Sequence, residues 1–138
     1  MIMKKTTLLF LFLFISAISF SQRTYWLGEF KSGAKIYLAL IKNDDNHGLH
    51  VRMYSTHNDR AVLIRANKKK NSETYNMQKK YGGWSDKNYL AFSNLLGEGK
   101  GYLVMNGKPL SIKKISRSEI PEYIKGSQTE YKRTYVTN

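Results

Sequence analysis

Cysteine is absent from the 138 residues. That excludes disulfides, thiolate nucleophiles, cysteine-bound metals and a lipid-modified N-terminal cysteine. Small exported domains often lean on disulfides, so stability here has to come from packing and backbone pairing. Acids are scarce: ten Asp and Glu stand against 23 Lys and Arg, for a formal charge of +13. They are scattered mostly through turn-like segments, whereas paired-carboxylate chemistry needs two acids facing across a cleft. Only Glu29 and Glu98 merit testing in that role. No Gly-x-Ser-x-Gly elbow occurs, and Ser55 beside His57 is not a triad. His47, His50 and His57 would need to converge with a fourth ligand such as Asp44 or Asp45. In an extended chain the odd separation of His50 and His57 puts them on opposite faces. Asp44-Asp45-Asn46-His47-Gly48 lacks the spaced oxygens and distal Glu of a calcium loop. Gly97-Glu98-Gly99-Lys100-Gly101 lacks the phosphate-loop spacing and the Ser/Thr after Lys100. The sequence points away from an enzyme and implies neither a cofactor nor a metal.

Long apolar runs are missing too, with one exception. Leu8–Phe20 contains only Ser16 and Ser19 as polar residues and follows Lys4 and Lys5. Ser19 and Ser21 occupy the −3 and −1 positions of a cut before Gln22. A charged start, a short apolar stretch and a small-residue end are the parts of a secretory signal peptide. The run falls short of the ~20 residues that a helix needs to cross a bilayer. We therefore expect residues 1–21 to be a leader and residues 22–138 to be one domain, exported to the periplasm or beyond, without a transmembrane segment once processed. Removing the two leader lysines lowers the charge from +13 to +11.

What remains reads as strands divided by turns. Lys35–Ile41, Leu49–Ser55 and Ala61–Ala66 alternate or are rich in β-branched residues. Thr74–Gln78, Tyr89–Asn94, Tyr102–Met105 and Leu110–Ile115 follow, after a first strand at Tyr25–Phe30. Asn106-Gly107 is the strongest short hairpin signal in the chain. Pro109 just after it fits only a strand end or a sheet edge. Thr129–Val136 reads as a closing strand, and Glu119–Lys125 as at most one helical turn. Eight to nine strands at this spacing predict an all-β fold, a small antiparallel meander barrel or sandwich. Closure of such a meander leaves few exposed edges.

The excess of basic residues has two explanations. One is a polyanionic partner. The other, which we favour at this level, is the bias of AT-rich genomes toward Lys, Asn, Ile and Tyr: 17 lysines outnumber six arginines, whereas arginine is the residue suited to forked phosphate recognition. If a binding surface exists, the residues to examine are Lys68, Lys69 and Lys70, a loop-tip run, together with Lys79, Lys80, Tyr81 and Trp84. In the second group aromatic faces beside lysines suit sugars or bases. The simpler expectation is that Trp84 plugs one end of a barrel and Tyr81 and Tyr89 are half-buried strand residues. Tyr25 and Trp26 occupy a position where an aromatic commonly seals a small barrel. In the pairs Lys79/Lys80, Lys113/Lys114 and Lys132/Arg133, neighbours on a strand point to opposite faces, which dilutes any patch.

The leader ending Phe20-Ser21-Gln22, then Trp26-Leu27-Gly28-Glu29-Phe30 and alternating strands, resembles small exported β-barrel proteins of Bacteroidetes. The resemblance implies an envelope or secreted location in a Gram-negative bacterium and no activity. Ser32-Gly33-Ala34-Lys35-Ile36-Tyr37 resembles the loop of periplasmic C-type lysozyme inhibitors, also eight-stranded barrels. That resemblance implies a cleft-plugging role for Ser32 and Tyr37, although the spacing is off by one residue and that family's cysteines are absent. The expectation is a non-enzymatic binding protein whose basic, aromatic-containing surface takes an anionic glycan or lipid head group of the envelope. The alternative is an inhibitor or immunity-type protein that binds an acidic protein. Nucleic acid is a less favoured partner.

Overall fold

A computed structural model describes residues 22–42, 48–93, 99–121 and 131–137. The expected leader, His47 with its acidic turn, Glu98 and most of Glu119–Lys125 lie outside the described residues. Among them no helix is long and apolar enough to cross a membrane.

The described residues form nine strands: β1 (Gln22–Glu29), β2 (Lys35–Lys42), β3 (Gly48–Ser55), β4 (Arg60–Lys68), β5 (Thr74–Gln78), β6 (Trp84–Phe92), β7 (Lys100–Met105), β8 (Lys108–Ile115) and β9 (Lys132–Arg133). The first eight pair in sequence order, β1 also pairs with β8, and all of these contacts are antiparallel. The ring is an eight-stranded closed meander barrel, as the hairpin spacing predicts. Asn106 and Gly107 both have positive φ, 53° and 77°, the conformation a two-residue hairpin turn demands. Pro109 sits exposed at the second position of β8, where the missing N–H is tolerated.

Alternation places one set of side chains in the lumen. Trp26, Leu38, Leu40, Leu49, Val51, Tyr75, Met77, Leu90 and Leu103 are almost wholly buried there. Trp26 packs against Phe92 at 4.9 Å between ring centres with the planes tilted by 52°, and Tyr75 meets Phe92 edge-on at 6.1 Å. The Trp26 indole N–H is satisfied by Thr24 Oγ1 at 2.9 Å. The buried Tyr75 hydroxyl has no hydrogen-bond partner among the described residues. Burial, and secondarily the charge of Glu73, pushes its pKa up to about 12, so it remains a neutral phenol.

A smaller apolar cluster forms outside the barrel. After β8, a 3₁₀ turn at Arg117–Glu119 and buried Ile120 lie against Tyr25, Leu27, Tyr37 and Tyr54 on the outer face of β1–β3. Ser116 starts that turn with a capping box, its N–H held by Glu119 Oε2 at 2.8 Å. Tyr131 packs on the same cluster.

The closing strand expected at Thr129–Val136 takes a different form. β4 pairs with β5 only at Ala66, Asn67 and Lys68, so the first half of β4 splays from its neighbour. The C-terminal segment fills that slot in parallel: β9 meets Val62 and Leu63, and Val136 bridges to Lys79. Thr134 N–H donates to Leu63 O (2.9 Å), Val136 N–H to Gln78 O (3.0 Å) and Lys80 N–H to Val136 O (2.9 Å). Three backbone bonds at about 1 kcal/mol each and ~2 kcal/mol for the buried valine face about 4 kcal/mol for ordering residues 134–137. The strap is therefore held by about 1 kcal/mol, far less than a whole barrel. Val136→Asp is expected to undock it. Amide exchange at Thr134, Val136 and Lys80 should accelerate while Leu38 and Leu103 keep their protection, with a fall in Tm of only about 2–8 °C. Unchanged exchange at those three amides, or cooperative loss of the entire barrel, would contradict a separately opening strap.

Candidate functional site at the open end of the barrel

The turns at 30–34, 56–59, 79–83 and 106–107 gather at one end, together with the C-terminal strap. Large aromatic and aliphatic side chains fill the other half of the lumen. At the turn-lined end a cavity of about 310 Å³ remains. Eight-stranded barrels lie at the size where the interior is just filled or leaves a cavity; this one is filled at one end and open at the other.

The wall of the cup is apolar: Ile36, Met53, Val62, Ile64, Met105 and Val136. The two methionines make part of it deformable. Its mouth is polar, with Ser55, Asn58, Asn106 and Thr134, and Arg60 is the only charged side chain among the described lining residues. The polar scaffold beneath is satisfied. Asn88 is 2 % exposed, its amide donates to Ser85 Oγ at 3.1 Å, and its carbonyl oxygen accepts the Asn106 N–H at 3.0 Å. These contacts tie β6 to the β7–β8 turn and fix one lip. Tyr54 donates its hydroxyl to Asp59 beside Arg60, which anchors the β3–β4 turn and occupies the nearest carboxylate.

Of the five exposed large hydrophobic residues among the described residues, the rim carries four: Phe30, Tyr81, Trp84 and Tyr135. Tyr81 is 90 % exposed and Trp84 41 %. Lys80 Nζ lies 5.5 Å from the centre of the Tyr81 ring, and Lys79, Lys87 and Lys108 belong to the same end.

The residues singled out from sequence therefore divide. Lys79, Lys80, Tyr81 and Trp84 stand together around the β5–β6 turn, at the same end of the barrel as the cup but outside its lining. Lys68, Lys69 and Lys70 lie across the barrel, at the far end of the short strand β5, where Lys68 pairs with Glu73 at 3.8 Å. The structure does not bring the two groups together. Trp84 does not plug the barrel and Tyr81 is not a half-buried strand residue; only Tyr89 is. The two-glycine turn at Gly82-Gly83, both with positive φ, turns the chain outward so that Tyr81 and Trp84 project into solvent. The sealing aromatic is Trp26. Ser32 sits in an exposed turn with its hydroxyl accepting the Ala34 N–H at 3.3 Å, while Tyr37 is half-buried on the outer wall.

Sequence reading missed Arg60 and the whole wall of the cup. Ile36, Met53, Val62, Ile64 and Met105 carry the same alternation as the packed core, and no local signal distinguishes a residue facing a cavity from one facing another side chain. Among the described residues no cluster of His, Asp and Glu suits a metal ion. Set against protein-family models, curated proteins and solved structures, the chain matches none.

Proposed function

We propose that this is an exported, non-enzymatic binding protein that holds a single-chain anionic amphiphile of the cell envelope in the mouth of its barrel. The observation that carries this reading is an apolar cup of about 310 Å³ with one cation, Arg60, at its opening. That volume falls at the lower end of small-molecule pockets and equals roughly ten waters at ~30 Å³ each. An alkyl tail gains about 25 cal/mol for every Å² removed from water. A carboxylate or phosphate head meets Arg60 and the Asn58 and Asn106 amides, all able to stay hydrated. The lysines of the rim attract anions over several ångströms. Trp84, Tyr81 and Phe30 are amphipathic or apolar groups placed to rest in a lipid head-group layer. The alternative, an inhibitor-type contact with an acidic protein, has no comparable observation in its favour.

Titration with a fluorescent medium-chain fatty-acid analogue tests the reading. Saturable one-to-one binding is expected, and Val62→Phe, which fills the cup, should remove it while the barrel stays folded by Trp26 emission. Arg60→Gln should weaken the acid about three- to fivefold and leave the corresponding alcohol unaffected, the scale of an exposed charge pair. Equal binding by the filled variant, or an acid and an alcohol that bind alike to the native protein, would refute it.

A further inference from the structure

We infer that the outer face of β1–β4, separate from the cup, is a binding site for a phosphate-bearing anion. Five of the six arginines of the chain converge there from five different elements. Arg23 lies on β1, Arg52 on β3, Arg65 on β4, Arg133 on β9 and Arg117 in the 3₁₀ turn after β8. The register lines them up. Arg23, Ile41, His50 and Arg65 form one row across the four strands, and Tyr25, Ala39, Arg52 and Leu63 form the next, with Arg133 paired to Leu63. Strands are ~4.8 Å apart, so Arg23 and Arg52 rise on either side of β2 about 10 Å from one another.

Between them lies a notch of about 40 Å³, lined by Arg23, Arg52 and Arg117 and by the rings of Tyr25, Tyr37 and Tyr131. A water occupies ~30 Å³, so the notch has room for one small group such as a tetrahedral oxyanion, and three guanidinium forks surround it. Forked donors match phosphate oxygens in pairs, as ammonium groups do not. The Arg52 guanidinium lies 5.4 Å from the centre of the Tyr131 ring, and Arg133 lies 5.7 Å from that of Tyr135. Both are therefore held against the surface. No described carboxylate pairs with any of the five. Glu119, two residues from Arg117, is committed to the Ser116 N–H.

Genomic bias toward lysine does not account for this face. On the outward positions of β1–β4 arginine occurs three times and lysine once, at Lys35, in a chain where lysine dominates. The concentration of positive charge is felt by its neighbour: His50 has its pKa lowered first by burial, then by Arg65, Arg133 and Arg52.

Tripolyphosphate is the probe, titrated into the full chain and followed by the His50 imidazole resonance. Saturable binding that raises the His50 pKa is expected, because the bound anion offsets the repulsion from the arginines. The charge-preserving variant Arg23→Lys/Arg52→Lys/Arg117→Lys should weaken binding about tenfold, since it keeps the field and removes the forks. Arg52→Lys alone should weaken it about threefold, which keeps the test valid if the triple variant folds poorly. Lys69→Gln/Lys70→Gln, which removes two charges elsewhere, should change it less than twofold. Sedimentation with phosphatidic-acid vesicles, weakened by the same arginine variants, assigns the phosphate to a lipid head group; binding of tripolyphosphate without vesicle binding assigns it to a free or polymeric phosphate. Lysine variants that bind as well as the native protein, or an unmoved His50, would overturn the site.

Discussion

Replacing Trp26 by alanine is expected to cost about 3–5 kcal/mol, the largest loss available from a single side chain in this protein. Trp26 is fully buried, packs against Phe92 and belongs to the filled half of the lumen. The loss combines the transfer of a large ring to water with the cavity left behind. A domain of this size holds about 5–15 kcal/mol in all, and without a cysteine it has no covalent reserve. The alanine variant should therefore be partly unfolded at ambient temperature, and urea titration measures how far. Trp26→Phe should recover more than half of the loss, because it keeps an aromatic plane against Phe92 and gives up only the indole bond to Thr24. A drop below about 1 kcal/mol for the alanine variant would mean that the packed half of the barrel is organised around something else.

The architecture was legible because alternation in Lys35–Ile41 and Leu49–Ser55 is clean and because Asn106-Gly107 permits only a tight hairpin. It was less legible where the strand period fails. β6 begins at Trp84, five residues before its alternation resumes at Tyr89, because its register with β5 shifts between Asn76 and Gln78. The strap at Thr134–Val136 read as an ordinary closing strand. Its parallel docking follows from the splaying of β4 from β5, which is a property of the barrel and not of the tail.

The same distinction governs the candidate sites. Lys79, Lys80, Tyr81 and Trp84 were visible because they are neighbours in sequence, and the turn that exposes them is local. Lys68–Lys70 carried an equally strong local signal, yet strand direction places that run at the opposite end. The outer arginines are each isolated in sequence and become a group only through the pairing of β1 to β4, the docking of β9 on β4 and the placement of the 3₁₀ turn after β8. A reading limited to charge runs weights contiguous lysines and overlooks dispersed arginines, although the latter make the denser field.

Gly101→Ala should destabilise by about 3 kcal/mol, for a reason that the strand propensities of the two residues do not contain. A Cβ at Gly101 would stand 2.7 Å from the Ala91 carbonyl oxygen and 2.7 Å from Phe92 Cδ1. The carbonyl belongs to the backbone of β6 and cannot move without disturbing the pairing of Gly101 with Phe92. The ring of Phe92 covers the glycine, an aromatic filling the space that a missing side chain leaves on a paired strand. The added methyl forces β6 and β7 apart or drives the ring toward Trp26, 4.9 Å away, and Tyr75, 6.1 Å away. Gly101, Phe92 and Trp26 therefore act as one unit, and their losses should not add. In a double-mutant cycle with Trp26→Ala, the cavity gives the displaced Phe92 ring somewhere to go, so the second substitution should cost at least 1 kcal/mol less than it does in the native background. Strict additivity would show that the clash with the Ala91 carbonyl sets the whole cost, and a Gly101→Ala variant as stable as the parent would show that β6 and β7 do not approach this closely.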